Sequence, residues 1–175
     1  MLYQRWLETS RLHATRPAIF EGGQIVTFSD LSDALAKLPE SSGPVIARSG
    51  SADFFLQILR AWRDGQAVIP VERDSPEPLL QRPPTEGTCL VKYTPGASGI
   101  PRGIFMNAAQ VAADGDRLVA AMGLSPEVPT LCVISPAHSY GFSNVVLPLV
   151  LHGVPVRFAP VPFPRVIAEI FQQHA

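Results

Sequence analysis

Apolar residues along this chain recur with two periods, one typical of helices and one typical of strands. The helical period is clearest over 51–64, where four apolar side chains fall at i, i+3, i+4 and i+7 and therefore share one face. These four residues are Phe55, Ile58, Leu59 and Trp62. Gly65 follows them and predicts the end of the helix, because glycine readily adopts the left-handed conformation found at helix ends.

Strands and helices alternate from residue 44 onwards. The pattern predicts further helices over 2–14, from Thr27 or Ser29 as the cap to about residue 38, from Asn107 as the cap to residue 122, over 142–151 and over 164–174. It predicts strands over 18–21, 24–28, 45–48, 67–71, 88–93, 103–106, 130–135 and 154–159. This alternation favours an α/β fold with a mostly parallel sheet flanked by helices. We expect one subdomain over 1–175, with an N-terminal helix, hairpin and helix over 1–43 and an alternating β/α core over 44–175.

The composition excludes several classes of function. The chain is 46% hydrophobic and 17% charged, so it can bury a sizeable core, and its net charge of -1 gives no attraction to nucleic acid or to an anionic membrane. Its apolar runs are too short to span a bilayer, and the N-terminus lacks the pattern of a signal peptide. Cys89 and Cys132 are isolated in strand-like runs, which indicates reduced, buried thiols and a cytoplasmic protein. His13, His152 and His174 lack the spacing of metal ligands, so no metal site is expected.

Several acidic residues have simple structural interpretations. Asp114 and Asp116 lie in an alanine-rich helix and are expected on its solvated face. Glu72 and Asp74 lie in a proline-rich loop and are interpreted as structural. Asp30 suits the first turn of a helix, where negative charge is favoured.

One stretch, 93–103, concentrates residues that bind anions, and it reads YTPGASGIPRG. Its glycines let backbone N–H groups turn toward a ligand, while Thr94, Ser98 and Arg102 add hydroxyls and a guanidinium, so the stretch suits a phosphate group. It is not a Walker loop, because the Gly-Lys-Ser/Thr ending is missing. It is not a nucleophile elbow either, because Ile100 stands where Gly-x-Ser-x-Gly needs its second glycine. A plain connecting loop is the structural alternative, since loops use the same residues.

The stretch resembles the phosphate loop of the adenylate-forming superfamily, which includes acyl-CoA synthetases, aryl-CoA ligases, luciferases and the adenylation domains of peptide synthetases. The usual family pattern is YTSGTTGxPKG, and Ser98 keeps a hydroxyl where the family has threonine. Six positions match outright, and they are Tyr93, Thr94, Gly96, Gly99, Pro101 and Gly103. Pro95 replaces serine and loses a hydroxyl and an N–H, Ala97 replaces threonine and loses a hydroxyl, and Arg102 replaces lysine with a planar fork.

Three further segments resemble the family in the same order along the chain. Residues 16–31 are similar to its opening hairpin and helix start. Residues 50–71 are similar to a segment that ends in Val-Pro-Leu, with Arg63-Asp64-Gly65 in place of Lys-Ala-Gly. Residues 134–156 are similar to a segment that carries a proline, a histidine and a glycine before a strand. The resemblance therefore covers nearly the whole chain.

The resemblance implies roles for individual residues. Five residues of the loop would bind the phosphates of ATP, and they are Thr94, Gly96, Ser98, Gly99 and Arg102. His138 matches the family histidine near the acyl group and the tunnel for the thiol acceptor, and would be both catalytic and substrate-binding. Phe142 and Asn144 would line the acyl pocket. Without the resemblance, a loop histidine held by hydrogen bonds is the simpler explanation of His138.

The implied chemistry is the activation of a carboxylic acid in two steps. The carboxylate attacks the α-phosphorus of Mg-ATP and releases pyrophosphate, and the acyl group then passes from the adenylate to a thiol such as coenzyme A. The implied cofactors are ATP, Mg2+ and CoA, and the implied substrate is a small carboxylic acid. Positioning and charge neutralisation would carry the phosphoryl chemistry.

Complete enzymes of this family are several times longer than this chain. The segments that bind adenine, ribose and Mg2+, and a C-terminal domain with a lysine, would follow the residues present here. One expectation is therefore an N-terminal fragment of a carboxylate–CoA ligase, which does not adenylate alone and associates with the rest of the enzyme or with itself. The alternative is a non-catalytic module that lost loop hydroxyls and uses the fold to bind a partner.

Overall fold

Eight strands form two sheets in the part of the chain that the computed structural model describes, which comprises residues 1–76, 82–94, 102–159 and 163–172. The strands are β1 (Pro17–Glu21), β2 (Gln24–Thr27), β3 (Val45–Arg48), β4 (Val68–Val71), β5 (Thr88–Thr94), β6 (Arg102–Asn107), β7 (Thr130–Cys132) and β8 (Val156–Phe158). The first sheet has the order β2-β1-β8-β7 and the second has the order β3-β4-β5-β6.

Most strand pairs are parallel. In the first sheet β1 and β7 both run parallel to β8, and β2 is the antiparallel hairpin partner of β1. In the second sheet β3, β4 and β5 are parallel, and β6 pairs antiparallel with β5. The predicted α/β class with a mostly parallel arrangement is therefore confirmed, and the strands are divided between two sheets. Because β1 pairs with β8, residues 1–43 share a sheet with the last strands of the chain.

Helices cover these sheets. They are α1 (Leu2–Leu12), α2 (Phe28–Ala36), α3 (Ala52–Arg63), α4 (Ala108–Met122), α5 (Ser139–Gly141), α6 (Leu147–His152) and α7 (Pro164–Gln172), and a π-helical segment, Phe142–Val146, joins α5 to α6. None of the helices in the described ranges has both the length and the apolar character needed to cross a bilayer.

One hydrophobic core joins the two sheets through the helices between them. Its largest fully buried side chains include Trp6, Phe28, Phe54, Phe55 and Phe142. A smaller cluster lies on another part of the second sheet, where buried Ile69 and Val91 are flanked by partly buried Tyr93 and Phe105. The four predicted positions on α3 are all buried, which confirms the helical period read from the sequence.

Local signals place most element ends correctly. Thr27 caps α2, because its hydroxyl accepts from the Asp30 N–H at 3.1 Å while Asp30 Oδ2 accepts from the Thr27 N–H at 2.9 Å. Asn107 and Gln110 make the same reciprocal pair at the start of α4.

Strand β7 is shorter than predicted: Pro136 lacks an N–H, and the Ala137 N–H donates to the Ser135 hydroxyl at 3.2 Å, which turns the chain.

The Thr27 cap makes a measurable contribution to stability. We expect Thr27→Ala to lower the free energy of unfolding by about 1 kcal/mol, because the Asp30 N–H at the start of α2 loses the hydroxyl that accepts its hydrogen bond. The matched control is Ser29→Ala, whose exposed hydroxyl takes no part in the cap, with an expected change below about 0.5 kcal/mol. Urea denaturation of both variants measures the difference, and equal losses would contradict the assignment of the cap.

Gly141 lies where the helix that follows His138 packs against the turn before it. A Cβ at this position would overlap the carbonyl oxygen of Ser135 and would lie 3.0 Å from Pro136 Cα. These neighbours are backbone atoms, which cannot rotate away. Close packing, rather than a left-handed conformation, therefore requires glycine here.

We expect Gly141→Ala to destabilise the protein by about 3 kcal/mol, because the helix must shift away from the Ser135 carbonyl. Gly43→Ala is the matched control, since a Cβ at Gly43 meets no heavy atom within 4 Å. The control should leave the free energy of unfolding unchanged or raise it by less than about 1 kcal/mol. Thermal and urea unfolding test both variants, and a fully stable Gly141→Ala protein would show that the turn is not packed as described.

Candidate functional site

The candidate site lies at the carboxyl edge of the second sheet, where parallel strands β3, β4 and β5 end together. Ser49 follows β3, Glu72 follows β4, and β5 ends at Thr94. Ligands in open α/β sheets bind at such edges, because the loops that leave parallel strands converge there. The sequence places the glycine-rich stretch immediately after β5, at this same edge.

The glycine-rich stretch is the connection of a β-hairpin. In the antiparallel ladder Thr94 pairs with Arg102 and Tyr93 pairs with Gly103, so the two ends of the connection are held side by side. The two flanking strands predicted from the sequence are thereby confirmed. Gly96, Ser98 and Gly99, like the departures Pro95 and Ala97, lie outside the described residues, as does the side chain of Thr94.

Arg102 is the predicted phosphate-binding residue that the structure does describe. It is exposed at the first position of β6 and borders an open cavity of about 390 Å³. The other residues around this cavity are Arg82, Tyr93, Gly103 and Phe105. The cavity therefore combines two guanidinium groups with two aromatic rings beside the end of the hairpin.

His138 is exposed and lies near the carboxylate that follows β4. Its Nε2 is 3.3 Å from Glu72 Oε1, without the geometry of a hydrogen bond. The two groups form an ion pair only when the imidazole is protonated. The other carboxylate oxygen, Glu72 Oε2, accepts from the Ser49 hydroxyl at 3.0 Å. Glu72 was interpreted from the sequence as structural, and the structure assigns it two partners in the site, Ser49 and His138.

Phe142 and Asn144 lie in the π-helical segment, with their side chains directed into the protein. Phe142 is fully buried and packs edge-on against Trp62, with ring centroids 6.5 Å apart. Asn144 is 9% exposed and donates from Nδ2 to the Tyr140 carbonyl at 2.8 Å. Their role in an acyl pocket stays a prediction. π-Helical segments are frequent at functional sites, and here α5 separates the segment from His138 by only three residues.

Lys92 is a site residue that sequence reasoning missed. It is 8% exposed on β5, its ammonium donates to the Ser139 carbonyl at 3.2 Å, and Nζ lies 4.8 Å from the centre of the Phe142 ring. Burial lowers the pKa of this ammonium, and the Asp114 carboxylate opposes the shift. The sequence signal was a lysine within an otherwise apolar strand. Lys92 therefore connects the strand before the glycine-rich stretch to the segment that carries His138.

The two aspartates of α4 are not a simple solvated face, which corrects the sequence interpretation. Asp114 is half-buried and accepts from the Ser143 hydroxyl at 2.6 Å. Asp116 is paired with Arg5 at 2.8 Å and with His152 at 2.9 Å, and these partners lower the pKa of its carboxyl. The sequence itself contained no sign of these partners, because Arg5, Ser143 and His152 are distant from α4 along the chain.

Both cysteines are free thiols, as predicted. Cys132 is buried and Cys89 is half-buried, and burial raises the pKa of each thiol to about 11. Neither is a nucleophile at neutral pH, because the thiolate is the reactive form. Within the described ranges, no three histidine, cysteine, aspartate or glutamate side chains come close enough to hold a metal ion.

Comparison with known proteins gives matches in structure only. No protein-family model matches the sequence, and no curated protein matches it either. The N-terminal subdomain of NpsA from Klebsiella oxytoca, in complex with 3-hydroxyanthranilyl-AMSN, aligns with a TM-score of 0.75 and 18% identity over 99% of this chain. An artificial fusion of NpsA with ThdA, described as an adenylation–PCP di-domain, aligns with a TM-score of 0.77 and 16% identity over 98% of this chain.

A second kind of enzyme has the same fold. The O-succinylbenzoate coenzyme A synthetase MenE from Bacillus subtilis, in complex with AMP, aligns with a TM-score of 0.77 and 13% identity over 97% of this chain. The chain spans 57% of the NpsA subdomain, 45% of the fusion and 59% of MenE. At these identities the likeness shows the fold. The chain thus has the fold of the N-terminal part of adenylate-forming enzymes, as the resemblance in its sequence implied.

Proposed function

We propose that this chain is the N-terminal, phosphate-binding part of an enzyme that activates a carboxylic acid with ATP. The observation that carries the proposal is the position of the YTPGASGIPRG stretch, which connects β5 to β6 at the carboxyl edge of the second sheet. His138 lies at the same edge, next to Glu72. The sequence of the stretch, the fold of the chain and the position of the stretch in that fold together support this function over a plain connecting loop.

In the proposed reaction a carboxylate oxygen forms a bond to the α-phosphorus of ATP, and the bond from that phosphorus to the bridging oxygen of pyrophosphate breaks. Thr94, Ser98 and Arg102 would donate to the β- and γ-phosphates, together with backbone N–H groups at Gly96 and Gly99. Charge-assisted hydrogen bonds of this kind stabilise the charge that develops on the departing pyrophosphate. The chain supplies positioning and charge, rather than a covalent intermediate.

His138 would act in the second step of the reaction, near the acyl group and the thiol that accepts it. Its imidazole is exposed, and Nε2 lies 3.3 Å from Glu72 Oε1. Phe142 and Asn144 would line the acyl pocket from the π-helical segment, which requires a change in the packing seen here. The acceptor would be a thiol, either of coenzyme A, which is named for MenE, or of a carrier protein, which is fused to NpsA.

Mg2+ would accompany ATP as in other reactions of nucleoside triphosphates, and it would neutralise charge on the phosphates. The guanidinium groups of Arg82 and Arg102 suit the phosphates. We propose no metal ligand among the described residues. We propose residues 1–175 as one subdomain, completed by a further part of the fold that corresponds to the portion of NpsA and MenE beyond the aligned region. Exposed Ile134 and Tyr140, which flank His138 in sequence, offer that part an apolar contact.

Calorimetric titration with pyrophosphate tests the proposal on the chain as it stands. We expect binding, and we expect Arg102→Ala to weaken it about tenfold, because one charge-assisted contact is lost. Arg117→Ala is the matched control, since Arg117 is exposed on α4 and does not border the cavity. Unchanged affinity in Arg102→Ala, or no binding of pyrophosphate by the unmodified chain, would overturn the assigned role.

A further inference from the structure

We infer that Arg82 is a second cation that binds the pyrophosphate group, in the cavity that Arg102 also borders. This inference rests on the proposed function and deepens it by naming a residue outside the glycine-rich stretch. Arg82 lies 10 residues before Lys92 in the chain, in the connection between β4 and β5, and the fold brings it to the face of the β5–β6 hairpin.

The aromatic ring of Phe105 positions Arg82. The guanidinium carbon lies 4.4 Å from the centre of this ring, within the range of a cation–π interaction. Stacking uses the flat face of the guanidinium and leaves the N–H groups at its edge free to donate. Phe105 is itself partly buried in the small cluster with Val91, so the support under Arg82 is part of the sheet.

Among the described residues, neither arginine of the cavity has an ion-pair or hydrogen-bond partner. Across the described residues, no carboxylate is paired with Arg82 or with Arg102, and neither guanidinium donates a hydrogen bond. Several other arginines do donate hydrogen bonds: Arg63, for example, donates to the Asp64 carboxylate and to the Leu35 carbonyl. Two unpaired cations that border one cavity repel each other, and a bound anion relieves this repulsion.

The size and walls of the cavity favour a compact anion with several charged oxygens. Its volume of about 390 Å³ lies within the range of small-ligand sites. Gly103 keeps it open, because a Cβ there would lie 3.2 Å from Phe105 Cε2, beside the ring that supports Arg82. A pyrophosphate group offers separate oxygens to the two guanidinium forks, which suits it better than a single carboxylate.

The inference also accounts for the departures in the glycine-rich stretch. Pro95 and Ala97 remove two hydroxyls and one N–H that the family pattern supplies to phosphate. Arg82 and Arg102 offer up to ten guanidinium N–H donors by the general chemistry of arginine. A second arginine from a neighbouring segment therefore replaces lost hydroxyl donors with charged ones.

Titration of the chain with inorganic pyrophosphate at fixed, low ionic strength tests the inference. We expect Arg82→Gln to weaken binding about tenfold, and Arg82→Lys to weaken it less, because lysine keeps the charge but not the planar fork. Phe105→Leu should weaken binding about threefold, since it removes the aromatic surface under Arg82. Arg117→Gln is the control and should bind as the unmodified chain does.

Two outcomes separate this inference from the proposed function. If Arg102→Gln weakens binding and Arg82→Gln does not, the inference is wrong while the proposed function stands. If the unmodified chain binds no pyrophosphate, both are wrong. Melting temperatures show whether each variant is folded; Arg82 is exposed, so its variants should melt as the unmodified chain does. If Arg82→Gln nevertheless fails to fold, Arg82→Lys and Phe105→Leu test the inference instead. Pyrophosphate affinity that is unchanged in both of these variants overturns it.

Discussion

The second sheet depends on the burial of its central strand, β4. All four residues of β4 are buried, and each pairs in register with a residue of β3 from Val45–Val68 to Arg48–Val71. A strand enclosed on both faces cannot slide along its neighbours without exposing apolar surface and leaving N–H groups without partners. The ends of β3 and β4 are therefore fixed at one level, and Ser49 and Glu72, which follow them, meet at 3.0 Å. The position of the candidate site follows from this alignment.

Lys92 connects two parts of that site, strand β5 and the segment that carries His138. A buried ammonium loses its hydration, and the Ser139 carbonyl, the Phe142 ring and the Asp114 charge together compensate for that loss. The contact connects the strand that enters the glycine-rich stretch with the helical segment that follows His138. Through Lys92, the π-helical segment is in contact with the strand that precedes the glycine-rich stretch.

In the proposed site, charged groups of the cavity beside the hairpin would replace hydroxyl groups in anion binding. A serine or threonine hydroxyl must lie within hydrogen-bond distance of one phosphate oxygen, whereas a guanidinium presents several donors in one plane. Arg102 comes from the strand and Arg82 from a separate connection, so their common cavity depends on the fold. The resemblance to the family is therefore closest at the glycines, which shape the backbone, and weakest at the polar contacts.

Elements with local causes could be predicted from the sequence. The capping boxes at Thr27 and Asn107, the helical period of α3 and the hairpin around the glycine-rich stretch all involve residues close together in the chain, so the sequence by itself determined them. It also proposed His138 and Arg102 as site residues, through their positions in segments similar to a known family, and these roles stay predictions. Only the tertiary structure decided the division into two sheets, the contact of Glu72 with His138, the burial of Lys92 and the stacking of Arg82 on Phe105. These features join residues that are distant in sequence, and their energies depend on burial and on partners that no local pattern encodes.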